Sequence, residues 1–279
     1  MKIIKAILLA ILYGAVYYSF QFIIGAILGA LSMLAGIIIS GTENSYDLYM
    51  GYINGGIGIT LCFTVILSAI LSFIVYWGIF LLRKLKITRV CNFKKLKFSY
   101  IPAAFILGIS ICFLNSSLLA WLSKIDFFKY YIEQYQASNL WISRTNTILL
   151  ILALAVAAPL IEEIIFRGMI FYDLKQIMPV FPVIIIQGLL FGIYHFNIVQ
   201  FIYASFLGIM FGLVYSWTQN LWIPVILHFS NNIMAVIAAK QPGSESLDGP
   251  DIRIFLISLA VTVLLCLFFY KRKYRVISD

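Results

Sequence analysis

Residues 147–172 read TILLILALAVAAPLIEEIIFRGMIFY. The stretch is long and apolar enough to cross a bilayer, whose hydrocarbon core takes about 20 residues of helix. Three formal charges, Glu162, Glu163 and Arg167, interrupt it. Each costs at least about 2.5–3.5 kcal/mol inside a membrane, so each must face a partner or a cavity. Glu163 and Arg167 are four residues apart on one helix face, which predicts an ion pair. Glu162 is rotated by about 100° from Glu163 and aims elsewhere, toward the interior of a bundle. Taken alone, the cluster also suits a helix end at the interface, with Arg167 reaching out to headgroups.

The rest of the chain fits a membrane protein. Of its 279 residues 63% are hydrophobic and 11% charged, against about 25% charged in soluble domains. With a mean hydropathy of +1.01 it lacks the polar surface of a soluble enzyme, a disordered chain or a secreted disulfide scaffold. Seven further apolar segments flank the quoted one, at residues 6–39, 52–82, 101–122, 181–195, 198–217, 221–239 and 254–270. The expected fold class is therefore all-α, a polytopic membrane protein with a bundle of about eight transmembrane helices. The first two segments exceed one crossing and must tilt or project. The segment at 181–195 is short, with Pro179 and Pro182 at its start. The apolar run after Met1–Lys5 outlasts a signal-peptide core and reads as a retained first helix. We divide the chain into amino-terminal helices with a basic loop (1–145), a core (146–240), and a last loop, helix and basic tail (241–279).

Charge placement sets an expected orientation. The net charge of +9 sits in short gaps: Arg83, Lys84, Lys86, Arg89, Lys94, Lys95 and Lys97, then Lys271, Arg272, Lys273 and Arg275. Such clusters mark cytoplasmic loops and attract anionic lipids. Both termini are then cytoplasmic, with the Glu43/Asp47 loop and the Glu245/Asp248/Asp251 loop outside. No basic patch carries interleaved aromatics on a soluble module, so nucleic acid is not an expected partner. Tyr130, Tyr131 and Trp141 fall in a long external loop suited to the membrane surface. Cys62, Cys112 and Cys266 lie in apolar runs and Cys91 in the basic loop, with no CxxC spacing, which excludes a disulfide framework. The Ile, Lys and Asn usage suggests an AT-rich bacterial genome.

The two histidines, His195 and His228, both lie in apolar segments of the second half, and His228 shares a helix face with Asn232. A lone intramembrane histidine is most simply structural. Two of them with an unpaired glutamate and an asparagine suffice for water-dependent bond cleavage. A carboxylate beside an imidazole accepts a proton from water, and a second imidazole with an amide N–H steadies an oxyanion. No Gly-x-Ser-x-Gly motif or neighbouring cysteine offers a nucleophile. Zinc held by Glu162, His195 and His228 is the competing account. The zinc-protease helix His-Glu-x-x-His is absent, and the metal-free glutamate reading, without a cofactor, is preferred.

The ordered motifs Glu-Glu-x-x-x-Arg (162–167), Phe-x-x-x-His (191–195) and His-x-x-x-Asn (228–232) resemble those of the CAAX protease and bacteriocin-processing (Abi) family of intramembrane endopeptidases. Gly208, Gly212, Tyr215, Asn220, Leu221 and Pro224 also resemble that family's spacing. The resemblance covers about residues 145–240 and leaves the first three spans outside. It implies that Glu162 and His195 activate water, that His228 and Asn232 form the oxyanion site, and that Glu163 and Arg167 hold the motif helix. It places the site in a membrane cavity near the cytoplasmic side. Its implied partner is a peptide or membrane-anchored protein substrate; a bacterial host disfavours prenylated ones. A non-catalytic scaffold and a proton-coupled transporter are the rivals; a transporter would show symmetry between halves, which is not detected. Gly188, Gly192, Gly208 and Gly212 include pairs four apart that allow close helix packing.

Overall fold

The structure, a computed structural model, describes residues 2–40, 56–241 and 251–273. The expected outer loops at Glu43/Asp47 and Glu245/Asp248, and Arg275 of the tail, lie outside the described residues. Among the described residues eleven helices follow one another: α1 Lys2–Ser40, α2 Ile57–Leu82, α3 Ile87–Val90, α4 Tyr100–Leu122, α5 Asp126–Ser138, α6 Leu140–Arg144, α7 Thr147–Lys175, α8 Val180–Ile193, α9 Ile198–Thr218, α10 Trp222–Ala239 and α11 Ile252–Lys273. No strand occurs among the described residues. The chain is an all-α polytopic membrane protein.

Seven of these helices are long and apolar enough to span a bilayer, and α8 is apolar but shorter. At 14 residues α8 rises only about 21 Å, against a hydrocarbon core of about 30 Å. α1 goes the other way: its 39 residues extend about 58 Å, so it projects or tilts. Large hydrophobic side chains such as Ile11, Phe22, Ile74 and Leu264 stand exposed on outer faces, as in a bundle whose solvent is lipid.

Side-chain contacts sort the connections onto two ends. At one end lie the basic loop and its neighbours: Arg83 bonds Asp173, Asn220 bonds the Lys94 carbonyl, and Arg272 bonds Ser99. At the other, Lys240 donates to the carbonyls of Ser143 and Thr145, and Trp121 packs on Phe255 at 4.5 Å. The basic loop is docked rather than merely solvated. Val90 and Cys91 within it are buried, and Leu221 N–H donates to the Asn92 carbonyl at 3.3 Å. Burial pushes the Cys91 thiol up to about 12.

One expectation fails outright. The segment holding Tyr130, Tyr131 and Trp141 is two helices, α5 and α6, rather than a loop. The reason is amphipathy: Phe128, Ile132 and Tyr135 recur at helical spacing and turn inward, while Phe127, Tyr130 and Tyr131 stay exposed.

α7 is not uniform. Two wide π-helical stretches, Ile151–Ala157 and Ile164–Ile170, flank a regular α-helical Ala158–Glu163. Such wide turns are rare and concentrate at functional sites. Asn146 starts the helix by accepting from Ile148 N–H and Leu149 N–H. Where π geometry gives way to α, Pro159 has no N–H for the Leu154 carbonyl five residues back. That carbonyl needs another donor.

Candidate active site

Glu163 is fully buried in α7 and its Oε1 accepts two bonds. Arg167 Nη1 donates at 2.8 Å and His228 Nδ1 at 2.9 Å. The ion pair predicted from spacing is therefore present, and it also reaches across to α10. The buried Arg167 guanidinium donates from Nη2 to the Gly208 carbonyl at 3.0 Å, where Gln187 Nε2 joins it at 2.8 Å. Phe191 and Phe211 cover the guanidinium, with ring centroids 4.9 and 5.4 Å from Cζ. This crowding needs backbone contact between α8 and α9: a Cβ on Gly208 would sit 2.7 Å from Gly188 Cα. The glycine spacing is thus a packing device that brings the Gly208 carbonyl to Arg167.

Glu162 points into a cavity of about 490 Å³, as do His195, His228 and Asn232. All four sequence-predicted candidates, from α7, α10 and the turn after α8, line one space. His228 Nε2 is 3.8 Å from Glu162 Oε2, so the imidazole nearest Glu162 is His228. His195 stands beyond ion-pair distance of Glu162.

Each imidazole has its Nδ1 committed. His195 Nδ1 donates to the Phe191 carbonyl at 2.8 Å, one turn back along α8, and His228 Nδ1 donates to Glu163. Both acceptors lack a proton to give, so Nδ1 carries the hydrogen and Nε2 is left for the cavity. Directly after His195, Phe196 adopts φ +51° and reverses the chain, and Asn197 caps α9 through Val199 N–H and Gln200 N–H. A left-handed Phe is costly, and here it ends α8 at the histidine.

Asn232 is held from both sides. Its Nδ2 donates to the Leu154 carbonyl at 2.7 Å, the acceptor that Pro159 leaves unpaired, and its Oδ1 accepts from Asn231 Nδ2 at 3.0 Å. One amide N–H remains for a substrate. The arrangement can therefore offer a carboxylate, two oriented ring nitrogens and an amide donor around one volume. As metal donors, Glu162 and His228 are suitably spaced, but no three His, Cys, Asp or Glu side chains converge among the described residues.

Several participants are absent from the sequence motifs. α1 contributes Tyr17 and Gln21 to the cavity and α2 contributes Val65, so the early spans take part in the site. Gln187 and Asn231 support it from behind. Their signal was available, since each of Gln21, Gln187 and Asn231 is a polar residue within an apolar segment.

Residues 144–234 match the family described as Type II CAAX prenyl endopeptidase Rce1-like. The chain is similar to a protein of Bacillus subtilis (strain 168) whose name reads "Putative membrane peptidase YdiL", with 29% identity over 39% of this chain and 45% of that one. It is also similar to the membrane-embedded CAAX protease MroQ of Staphylococcus aureus (strain USA300), with 33% identity over 30% of this chain and 36% of that one. The chain's similarity thus spans less than half the length of these curated relatives. No solved structure gives a significant match. All three motifs fall inside the matched segment, and that segment is similar to the CAAX protease and bacteriocin-processing family of membrane proteins.

Proposed function

We propose that the protein is an intramembrane endopeptidase that cleaves a peptide or membrane-anchored protein with water activated by Glu162 and His195. The observation that carries this reading is the shared cavity lined by Glu162, His195, His228 and Asn232, with both Nε2 atoms held toward it. Glu162 takes a proton from a water placed between it and His195, and the oxygen attacks the scissile carbonyl carbon. The carbonyl oxygen becomes an oxyanion, met by the free N–H of Asn232 and by His228. For His228 to donate, both its ring nitrogens must carry protons; Nδ1–H then goes to Glu163 and Nε2–H to the oxyanion. Collapse breaks the C–N bond, and the proton held by Glu162 passes to the leaving amine. Glu163 and Arg167 hold the geometry and touch no reacting atom. Charge bias puts the basic end of the bundle in the cytoplasm of a bacterial cell, with both termini there.

The test is cleavage of an internally quenched peptide library by the purified protein in detergent. Wild type should cleave and Glu162→Ala should not, with or without a chelator. Cleavage persisting in Glu162→Ala overturns the glutamate role; activity lost to chelator and restored by zinc assigns these nitrogens to a metal instead. No cleavage by wild type supports the scaffold reading.

A further inference from the structure

The cavity does not surround the catalytic set evenly. On α10 its lining runs His228, Asn232, Ala235, Val236 and Ala239, one face of the helix from mid-depth to its far end. On α9 it runs Leu207, Ala204, Tyr203 and Gln200, again toward the end away from the basic loop. The wall at that end is the α5–α6 pair, from Tyr135 to Ser143. His228 is six residues, about 9 Å, from the start of α10 at the basic end, and eleven residues, about 16 Å, from Ala239. The cavity takes the longer path. Its outer wall is pinned at two points: the Tyr135 and Tyr203 hydroxyls bond at 2.9 Å, and Lys240 holds the Ser143 and Thr145 carbonyls.

Dimensions and chemistry narrow the occupant. The path along α10 from His228 to Ala239 is about 16 Å long. A helix keeps its peptide N–H and C=O groups bonded to itself, whereas an extended chain leaves them free to bond the wall. An extended chain, at about 3.3 Å per residue, places about five residues along the path. Apart from the two histidines, Glu162 is the only lining side chain with a formal charge among the described residues. Gln21, Gln136, Asn139 and Gln200 supply neutral amides, suited to peptide N–H and C=O groups. A positively charged substrate side chain would find no lining carboxylate in the outer half and would meet the Lys240 ammonium at its end.

We infer that the α5–α6 wall, residues 135–143, is the substrate-selecting subsite, which takes an unwound, uncharged stretch of about five residues from the face opposite the basic loop. The inference deepens the proteolytic reading and rests on it for the word substrate, but its test needs no cleavage. The probe is an uncharged, end-blocked decapeptide bearing a benzophenone photocrosslinker, applied to the full-length Glu162→Gln protein in detergent. Crosslinks mapped by mass spectrometry are expected on residues 135–143 and 235–239. An analogue with two central lysines should label at least tenfold less, as should one locked into helix by α,α-dialkyl residues. Ala235→Trp, which fills the channel one turn beyond Asn232, should cut capture at least tenfold with an unchanged melting temperature. Labelling at residues 171–176 or 215–219 overturns the inference, and so does equal capture of the lysine or helical analogue. Capture in the expected pattern by a wild type that cleaves nothing sinks the protease reading and leaves this site standing. Cleavage with crosslinks elsewhere does the reverse.

Discussion

Removing Arg167 should unfold the protein's centre, and the size of the loss follows from its surroundings. Arg167→Met deletes the 2.8 Å partner of Glu163, one of two donors to the Gly208 carbonyl, and the cation beneath Phe191 and Phe211. Breaking a buried ion pair from one side costs about 3–5 kcal/mol, because the remaining charge is uncompensated. Glu163→Gln keeps an acceptor oxygen for Arg167 and His228 but strands the guanidinium, for a similar cost. Simple addition gives about 6–10 kcal/mol for the double variant. Yet the double variant leaves no stranded charge, and contacting groups couple by up to about 3 kcal/mol, so it should sit near the worse single variant. The protein carries its own reporter. Cys62, Cys91 and Cys112 are buried, and the Cys91 sulfur would lie 2.7 Å from a Cβ on Gly168, next to Arg167. Thermal exposure of these thiols to a fluorogenic maleimide in detergent measures each variant. Glu162→Gln, facing the cavity, should shift the curve little. Additive losses in the double variant would refute the coupling through Glu163.

Asn232→Ala should lower turnover by about 10²–10³ and also cost about 1–3 kcal/mol of stability, because the Leu154 carbonyl loses its donor; normal stability with lost turnover would remove the structural half of that role. Gly208→Ala should destabilise by about 1–3 kcal/mol in the same thiol assay, since the added methyl meets the Gly188 backbone, and a neutral effect would mean α8 and α9 separate freely. Cys91 supplies a pH test. Its thiol keeps its proton in the fold up to about pH 12, whereas an unfolded thiol ionises near pH 8.5, so stability held below pH 8.5 is lost as pH rises toward 12. Between pH 9 and 10 wild type should lose about 1 kcal/mol more than Cys91→Ala in chemical unfolding, and parallel curves would show the thiol is not shielded. Asp173→Asn should loosen the basic end, because Arg83 then loses a two-pronged partner at 2.6 and 2.9 Å; unchanged protease sensitivity of residues 83–99 would contradict this.

The spans were legible because a bilayer imposes length on apolar runs, and α4, α9 and α10 begin and end within a residue or so of the apolar limits. The Glu163–Arg167 pair was legible too, since i and i+4 share a face whatever surrounds the helix. The bond from His228 to Glu163 was not, because it depends on how α10 packs against α7, and spacing within one helix says nothing of that. Spacing does not show α5 and α6 either unless the aromatic residues are read as one buried and one exposed face. The part played by Tyr17 was not legible, because it lies in a helix whose pattern is almost featureless apolar sequence, in which Gln21 is the polar exception.

The two wide turns of α7 act as a register device. Neighbouring residues on an α-helix differ by about 100° in azimuth, so the regular turn between the wide stretches aims Glu162 at the cavity and Glu163 at Arg167 and His228. Excising one residue between 151 and 157 would let that stretch relax to an ordinary helix with the downstream azimuth nearly kept, whereas excising one from the regular turn at 158–161 would dial everything downstream round by one position. Glu163 would then swing toward the cavity, Glu162 would leave it, and Arg167 would lose its place beneath the two phenylalanines. A one-residue change of length should therefore be tolerated in the wide stretch far more readily than in the regular turn.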